Sequence, residues 1–213
     1  MNAAPLIAQV RSCTLCKANL PLQPRPIVQF SATSRLLIIG QAPGRISHHS
    51  GIAFDDKAGD RLAGWLGISG ATLHDPARVA IVSMGLCYPG KARGGDKPPR
   101  PECAPAWHNR IFAEISDDRV TVLVGAYAQS AYLPDWRRLS MRERVMRWRE
   151  TAPAIWPLPH PSWRSTLFMR EHPWFEDELL PRLRLAVTET VGRDDQAACS
   201  ISNSRTSSMP PSA

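Results

Sequence analysis

Four short runs, Leu36–Ile39, Val79–Val82, Val120–Val124 and Ala154–Leu158, are apolar at nearly every position and rich in β-branched residues. A run with no polar face must be covered on both sides, which is the situation of a strand inside a parallel sheet. The stretches between them carry helical periodicity. Lys57–Leu66 places Leu62, Trp65 and Leu66 on one face, and Ala104–Ile115, Asp135–Glu150 and Trp174–Val187 read as further helices. Strands alternating with helices predict an α/β fold: a three-layer α/β/α sandwich around a central, mainly parallel four-stranded sheet.

One domain over residues 1–187 accounts for these elements, and its length is enough for a full hydrophobic core. From Thr188 to Ala213 the chain turns Ser/Thr-rich and loses periodicity, which predicts a disordered tail. The longest apolar runs fall far short of the ~20 residues of a spanning helix. The N-terminus lacks a basic region followed by a long apolar one, so a cytoplasmic, membrane-free protein is the expectation, and a monomer is expected. The formal charge is +7, and only two of the 26 basic residues lie beyond Val187 against three of the 19 acids. The basic excess therefore belongs to the folded part, which suits a polyanionic partner.

The first strand ends in "GQAPG" (Gly40–Gly44), a tight turn at the sheet edge where ligands of α/β folds bind. It is too short for a nucleoside-triphosphate loop, and no G-x-G-x-x-G is present. Residues Arg45–Asp55 then read as an excursion over the strand end, with Phe54 the aromatic placed to line a pocket. His48 and His49, with no nearby partner, read as exposed. The last strand ends in "PLPHPS", which sets His160 and Ser162 on the same edge. A His between prolines suits a fixed donor aimed into a pocket. A serine hydrolase fits poorly, because no G-x-S-x-G elbow exists.

Cys13 and Cys16 form a C-x2-C pair, and Cys87 and Cys103 follow with fifteen residues between them. Four such thiols suit either a zinc ion or a [4Fe–4S] cluster, and spacing does not separate the two. Cys199 reads as a bystander. The loop between the later pair is turn-forming and basic, with Lys91, Arg93, Lys97 and Arg100. It suits phosphate contacts.

Together "GQAPG", "SGIAFDDKAGDRL", the cysteine pattern and "LPHPS" resemble the uracil-DNA glycosylase superfamily, nearest to its iron–sulfur, family 4-like members. The resemblance spans about residues 6–187. It implies a DNA glycosylase that flips uracil or another deaminated base out of the stack and hydrolyses its N-glycosidic bond. Gly40, Ala42, Pro43 and Gly44 then wall the base pocket, Phe54 stacks on the base, and His160 supports the negative charge on the leaving base. Cys13, Cys16, Cys87 and Cys103 hold the cluster, with structural zinc the alternative. Ser162–Leu167, including Arg164, face DNA beside Lys91 and Arg93, and the Arg-rich segment Arg137–Arg149 is a further candidate to track phosphates. The chain departs from the family at three places. Gln41 replaces the usual acid of the first motif, the acid that often follows a few residues later has no match in "RISHH", and Ser83 stands where an Asn reads the base. Either Gln41 orients the water, or Asp55 or Asp56 supplies a carboxylate, or the chain binds DNA or damaged bases with little turnover. Covalent trapping through a loop His is disfavoured, since Tyr88–Glu102 contains none.

Overall fold

A computed structural model describes residues 3–192. In chain order these form α1 (Ala4–Arg11), β1 (Leu36–Ile39), α2 (Arg45–Ser50), α3 (Lys57–Leu66), α4 (Gly70–Leu73) and β2 (Val79–Ile81). A small hairpin of β3 (Lys91–Ala92) and β4 (Gly95–Asp96) follows, then α5 (Cys103–Phe112), β5 (Val120–Val124), α6 (Ala126–Tyr132) and α7 (Met141–Met146). The chain continues through β6 (Ile155–Leu158), α8 (Ser165–Glu171) and α9 (Leu180–Val191).

The main sheet has the order β2-β1-β5-β6, and all three of its pairings are parallel. Leu36 stands opposite Val79 on one side and Val120 on the other. Side chains alternate across the sheet, so each strand feeds two cores. Leu36 and Ile38 pack with Leu62, Trp65 and Leu66 of α3 and Leu180 and Leu183 of α9. Leu37 and Ile39 pack with Val10 of α1, Ile111 of α5 and Ala128 of α6. These two clusters are the α/β/α layers expected from strands that are apolar throughout.

Chain order reverses at β1: the path leaves it for β2 on one side and later crosses to β5 on the other. A crevice opens outside the strand ends at such a switch point, and ligands of open α/β sheets bind there. Gly40, Ser83, Gly125 and His160 all lie just beyond the carboxyl ends of the four strands.

Three expectations need correction. Asp135–Glu150 is not one helix. A 3-10 turn over Pro134–Trp136 is followed by a new start at Ser140, whose hydroxyl accepts from Glu143 N–H while the Glu143 carboxylate accepts from Ser140 N–H. That reciprocal cap begins α7 afresh. Trp174–Val187 divides as well, into a π-type turn (Phe175–Leu179) and α9, with Pro181 in the first turn of α9. The helix runs to Val191, past the boundary drawn at residue 187. Arg45–Asp55 is not wholly irregular, since α2 occupies its first half and ends at Gly51 with φ 83°. Cys199 and the remainder of the expected tail lie outside the described residues.

Candidate functional site

The pocket at the switch point is built around Phe54. Its φ is 55°, the one positive value at a non-glycine position among the described residues. A bulky residue held there marks strain that the surrounding structure imposes. Three neighbours impose it. Gly51 turns the chain out of α2, and Asp56 caps α3 by accepting from Ala58 N–H (2.9 Å) and Gly59 N–H (3.2 Å). Gly59 then leaves room for the Phe54 carbonyl, which would lie 1.8 Å from a Cβ at that position.

The ring of Phe54 lies against Gly40 and Ser83. A Cβ on Gly40 would meet Ser83 Oγ at 3.1 Å and the Phe54 ring at 3.2 Å, so backbone, hydroxyl and aromatic face share one wall. This wall is stiff. Met84 N–H donates to Gly40 O and Gly85 N–H to Gln41 O, both at 2.9 Å. Behind it, buried His108 bonds the Ser83 carbonyl through Nε2 (3.0 Å) and the Tyr132 hydroxyl through Nδ1. Burial lowers the His108 pKa, which keeps that link a neutral one.

His160 stands on the same pocket. Its ring makes no hydrogen bond to another described residue. The turn after it is pinned: Ser162 N–H donates to His160 O (2.8 Å), and Arg61 of α3 donates to the Ser162 carbonyl and to Ser165 Oγ. Desolvation in the recess lowers the His160 pKa, and the charges of Asp56 and Asp96 offset only part of that effect. That shift favours the neutral ring over the imidazolium, while the residue as a whole stays exposed at the pocket.

Ala42, Pro43, Gly44, Phe54, Ser83 and His160 all line this pocket, together with Asp56 and Asp96. The cavity they enclose measures about 90 Å³. Not every expected residue joins them: Gly40 backs Phe54 and Ser83 without itself lining the pocket, and Ser162 lines the adjoining groove. Asp55 is exposed and outside the pocket, because the cap turns its neighbour Asp56 inward instead. Gln41 lines the adjoining groove, and its Nε2 donates to the Lys97 carbonyl (3.1 Å), tying the first loop to the basic hairpin. Asp96 was not foreseen. It reaches the pocket only because β3 and β4 pair, with Lys91 opposite Asp96.

The groove beside the pocket is lined by Lys91, Arg93, Ser162, Trp163 and Arg164. Arg164 donates to the Gly94 carbonyl and lies 5.4 Å from the ring of Trp163, which is 74% exposed. A cationic trough with a protruding aromatic suits a polyanion carrying stackable bases. The segment Arg137–Arg149 contributes less than expected. Arg144 is buried and donates to the carbonyls of Trp136, Ala126 and Arg137, while Arg147 and Arg149 pair with Glu150 and Glu178. Half-buried His48 and exposed His49 sit on α2, where their carbonyls accept from Arg25.

The four cysteines come together although 90 positions separate the first from the last. Their thiols are free and surround a small cavity of about 20 Å³ with Leu20, Pro24, Pro26 and Trp107. Burial, and then the other thiols, push Cys87 up to about 11 and Cys103 up to about 12. Leu86 N–H donates to Cys103 Sγ at 3.3 Å. Among the described residues no three His, Cys, Asp or Glu side chains converge as a single-ion site.

The switch point of the parallel sheet thus holds a pocket with an aromatic wall, and that pocket adjoins a groove lined by basic side chains. The family model described as the uracil DNA glycosylase superfamily matches residues 27–184, and the chain belongs to that superfamily. The match takes in β1 to β6, Phe54, Ser83, His160, Cys87 and Cys103, and leaves Cys13 and Cys16 outside. No helix among the described residues is long and apolar enough to cross a membrane.

Proposed function

We propose that this protein is a DNA glycosylase that draws uracil, or another deaminated base, out of the stack and hydrolyses its bond to the sugar. The observation that carries the reading is Phe54, held at positive φ against Gly40 and Ser83 and sharing one pocket with His160. Base flipping needs an aromatic face and edge-reading groups in a recess just wide enough for one base. Breaking the glycosidic bond builds positive charge on the sugar and negative charge on the base, and a preorganised donor stabilises the latter. His160 is that donor. Ser83 presents a hydroxyl, which both donates and accepts, where the family has an amide. Lys91, Arg93 and Arg164 take the phosphates, and Ser162 and Trp163 meet the strand beside the flipped nucleotide.

The same reading gives Cys13, Cys16, Cys87 and Cys103 a bound group. Four converging thiols suit a [4Fe–4S] cluster, with structural zinc the alternative. When bound, the group supplies a tie between the N-terminal segment and both ends of the basic hairpin. Purified anaerobically, the protein is expected to be brown and to absorb near ~400 nm. A colourless preparation with one bound zinc would exclude the cluster.

The decisive experiment is base release from oligonucleotides carrying uracil, hypoxanthine, xanthine or a mismatched thymine, read as alkali-labile abasic sites. Abasic sites are expected in a uracil-containing single strand. DNA binding is expected to weaken steeply with salt, by about 0.7 in log K per decade for each phosphate contacted on a single strand. Release of no base, with that binding intact, would replace the enzyme with a reader of DNA or damaged bases.

A further inference from the structure

Hydrolysis of a glycosidic bond needs a group to hold the attacking water and take its proton; the first motif offers only an amide, whose Nε2 donates to the Lys97 carbonyl and which cannot act as a base. The pocket contains two carboxylates, and their positions differ in kind. Asp56 uses Oδ1 to cap α3. Asp96 sits on β4 of the basic hairpin, with Oδ1 buried 3.2 Å from Lys91 Nζ. Both present Oδ2 toward Gly44: a Cβ there would lie 3.8 Å from Asp96 Oδ2 and 4.0 Å from Asp56 Oδ2.

The place of Asp96 between the two hollows separates them further. The base pocket and the cationic groove share three lining residues, Ala42, Asp96 and His160. If the base fills the pocket and the phosphates follow the groove, the sugar must cross that junction. One carboxylate and one imidazole face it. His160 is taken by the base, which leaves Asp96 beside the anomeric carbon.

We propose, on the glycosylase reading above, that Asp96 is the carboxylate that holds the hydrolytic water, seated in the space before Gly44, and that it replaces the acid absent at Gln41. The bond between the anomeric carbon and the base nitrogen breaks with its electron pair leaving on the base. The water oxygen bonds to the anomeric carbon, and its proton passes to the Asp96 carboxylate. The departing base anion, held by His160, is protonated by solvent, and Asp96 returns its proton to solvent. Lys91 positions the carboxylate from the groove side, and Asp56 adds a second negative charge facing the developing oxocarbenium ion.

Two variants test this in single-turnover release from a uracil-containing oligonucleotide, with binding measured on one carrying a tetrahydrofuran abasic mimic. Asp96→Asn removes the base but keeps size and hydrogen-bonding capacity. Release is expected to slow by about 100-fold or more, while binding stays equal or tightens, since a negative charge leaves a cationic groove. Gly44→Ala is compatible with the backbone there, at φ −75° and ψ 177°, and its methyl makes ordinary contacts. It fills the water's seat, so release is expected to fall at least tenfold with an unchanged melting temperature. Asp55→Asn serves as the exposed control and is expected to match wild type. Release by Asp96→Asn within threefold of wild type would overturn the proposal and leave the glycosylase reading standing. A wild-type protein that releases no base would overturn both.

Discussion

Replacing His160 by Ala is expected to cut base release by about 10²–10³-fold, with DNA affinity changed only a few-fold. The size follows from deleting one preorganised donor aimed at a developing anion, worth roughly 3–4 kcal/mol. The effect should be confined to chemistry, because the ring makes no hydrogen bond that the fold depends on. The turn that carries it is held by backbone and by Arg61, so His160→Ala should melt close to wild type. His160→Asn, which keeps a donor, should recover part of the rate. Burial depresses the ring's pKa below the ordinary histidine value, so an acid limb due to His160 is expected on the acid side of that value. Full activity of His160→Ala would remove the ring from the mechanism.

Much of this protein could be read from sequence, for reasons that also explain the misses. The four strands were legible because both of their faces are covered, so each run is apolar without alternation. Helix α3 was legible because Asp56 caps it and its apolar face repeats at helical spacing. The break at Ser140 carried a legible signature too, a Ser followed three residues later by Glu, but the Arg-rich periodicity of residues 137–149 masked it. Arg144 could not be foreseen as buried, since its acceptors are carbonyls exposed by the turns at Ala126 and Pro134–Arg137. In the site, Phe54, Ser83 and His160 were marked by short motifs tied to strand ends. Asp96 had no motif. Its reach depends on a two-residue pairing in a loop whose charge pointed only to phosphate, and on glycines at positions 94 and 95 that bring β4 back over the pocket. The choice between Asp55 and Asp56 rested on one peptide unit, and the cap decides it.

Gly59→Ala is the sharpest test of how Phe54 is held. Helix propensity alone predicts a gain of up to ~1 kcal/mol from replacing glycine in α3. Gly64, on the same helix, is exposed, and nothing lies within 4 Å of a Cβ there, so Gly64→Ala should realise some of that gain. At Gly59 the new methyl would meet the Phe54 carbonyl oxygen at 1.8 Å and its carbon at 2.8 Å. Those are backbone atoms of a residue already at positive φ, and they cannot swing aside as a side chain would. The overlap therefore outweighs propensity. Gly59→Ala is expected to lose about 3 kcal/mol or more in denaturant unfolding, a difference of about 4 kcal/mol from Gly64→Ala. If the chain relieves the clash by moving Phe54 out of the left-handed region, the ring leaves Gly40. Base release should then fall even where the variant remains folded. Equal stability of the two variants would mean that the Phe54 carbonyl is not clamped by α3, and the strained aromatic wall would lose its structural cause.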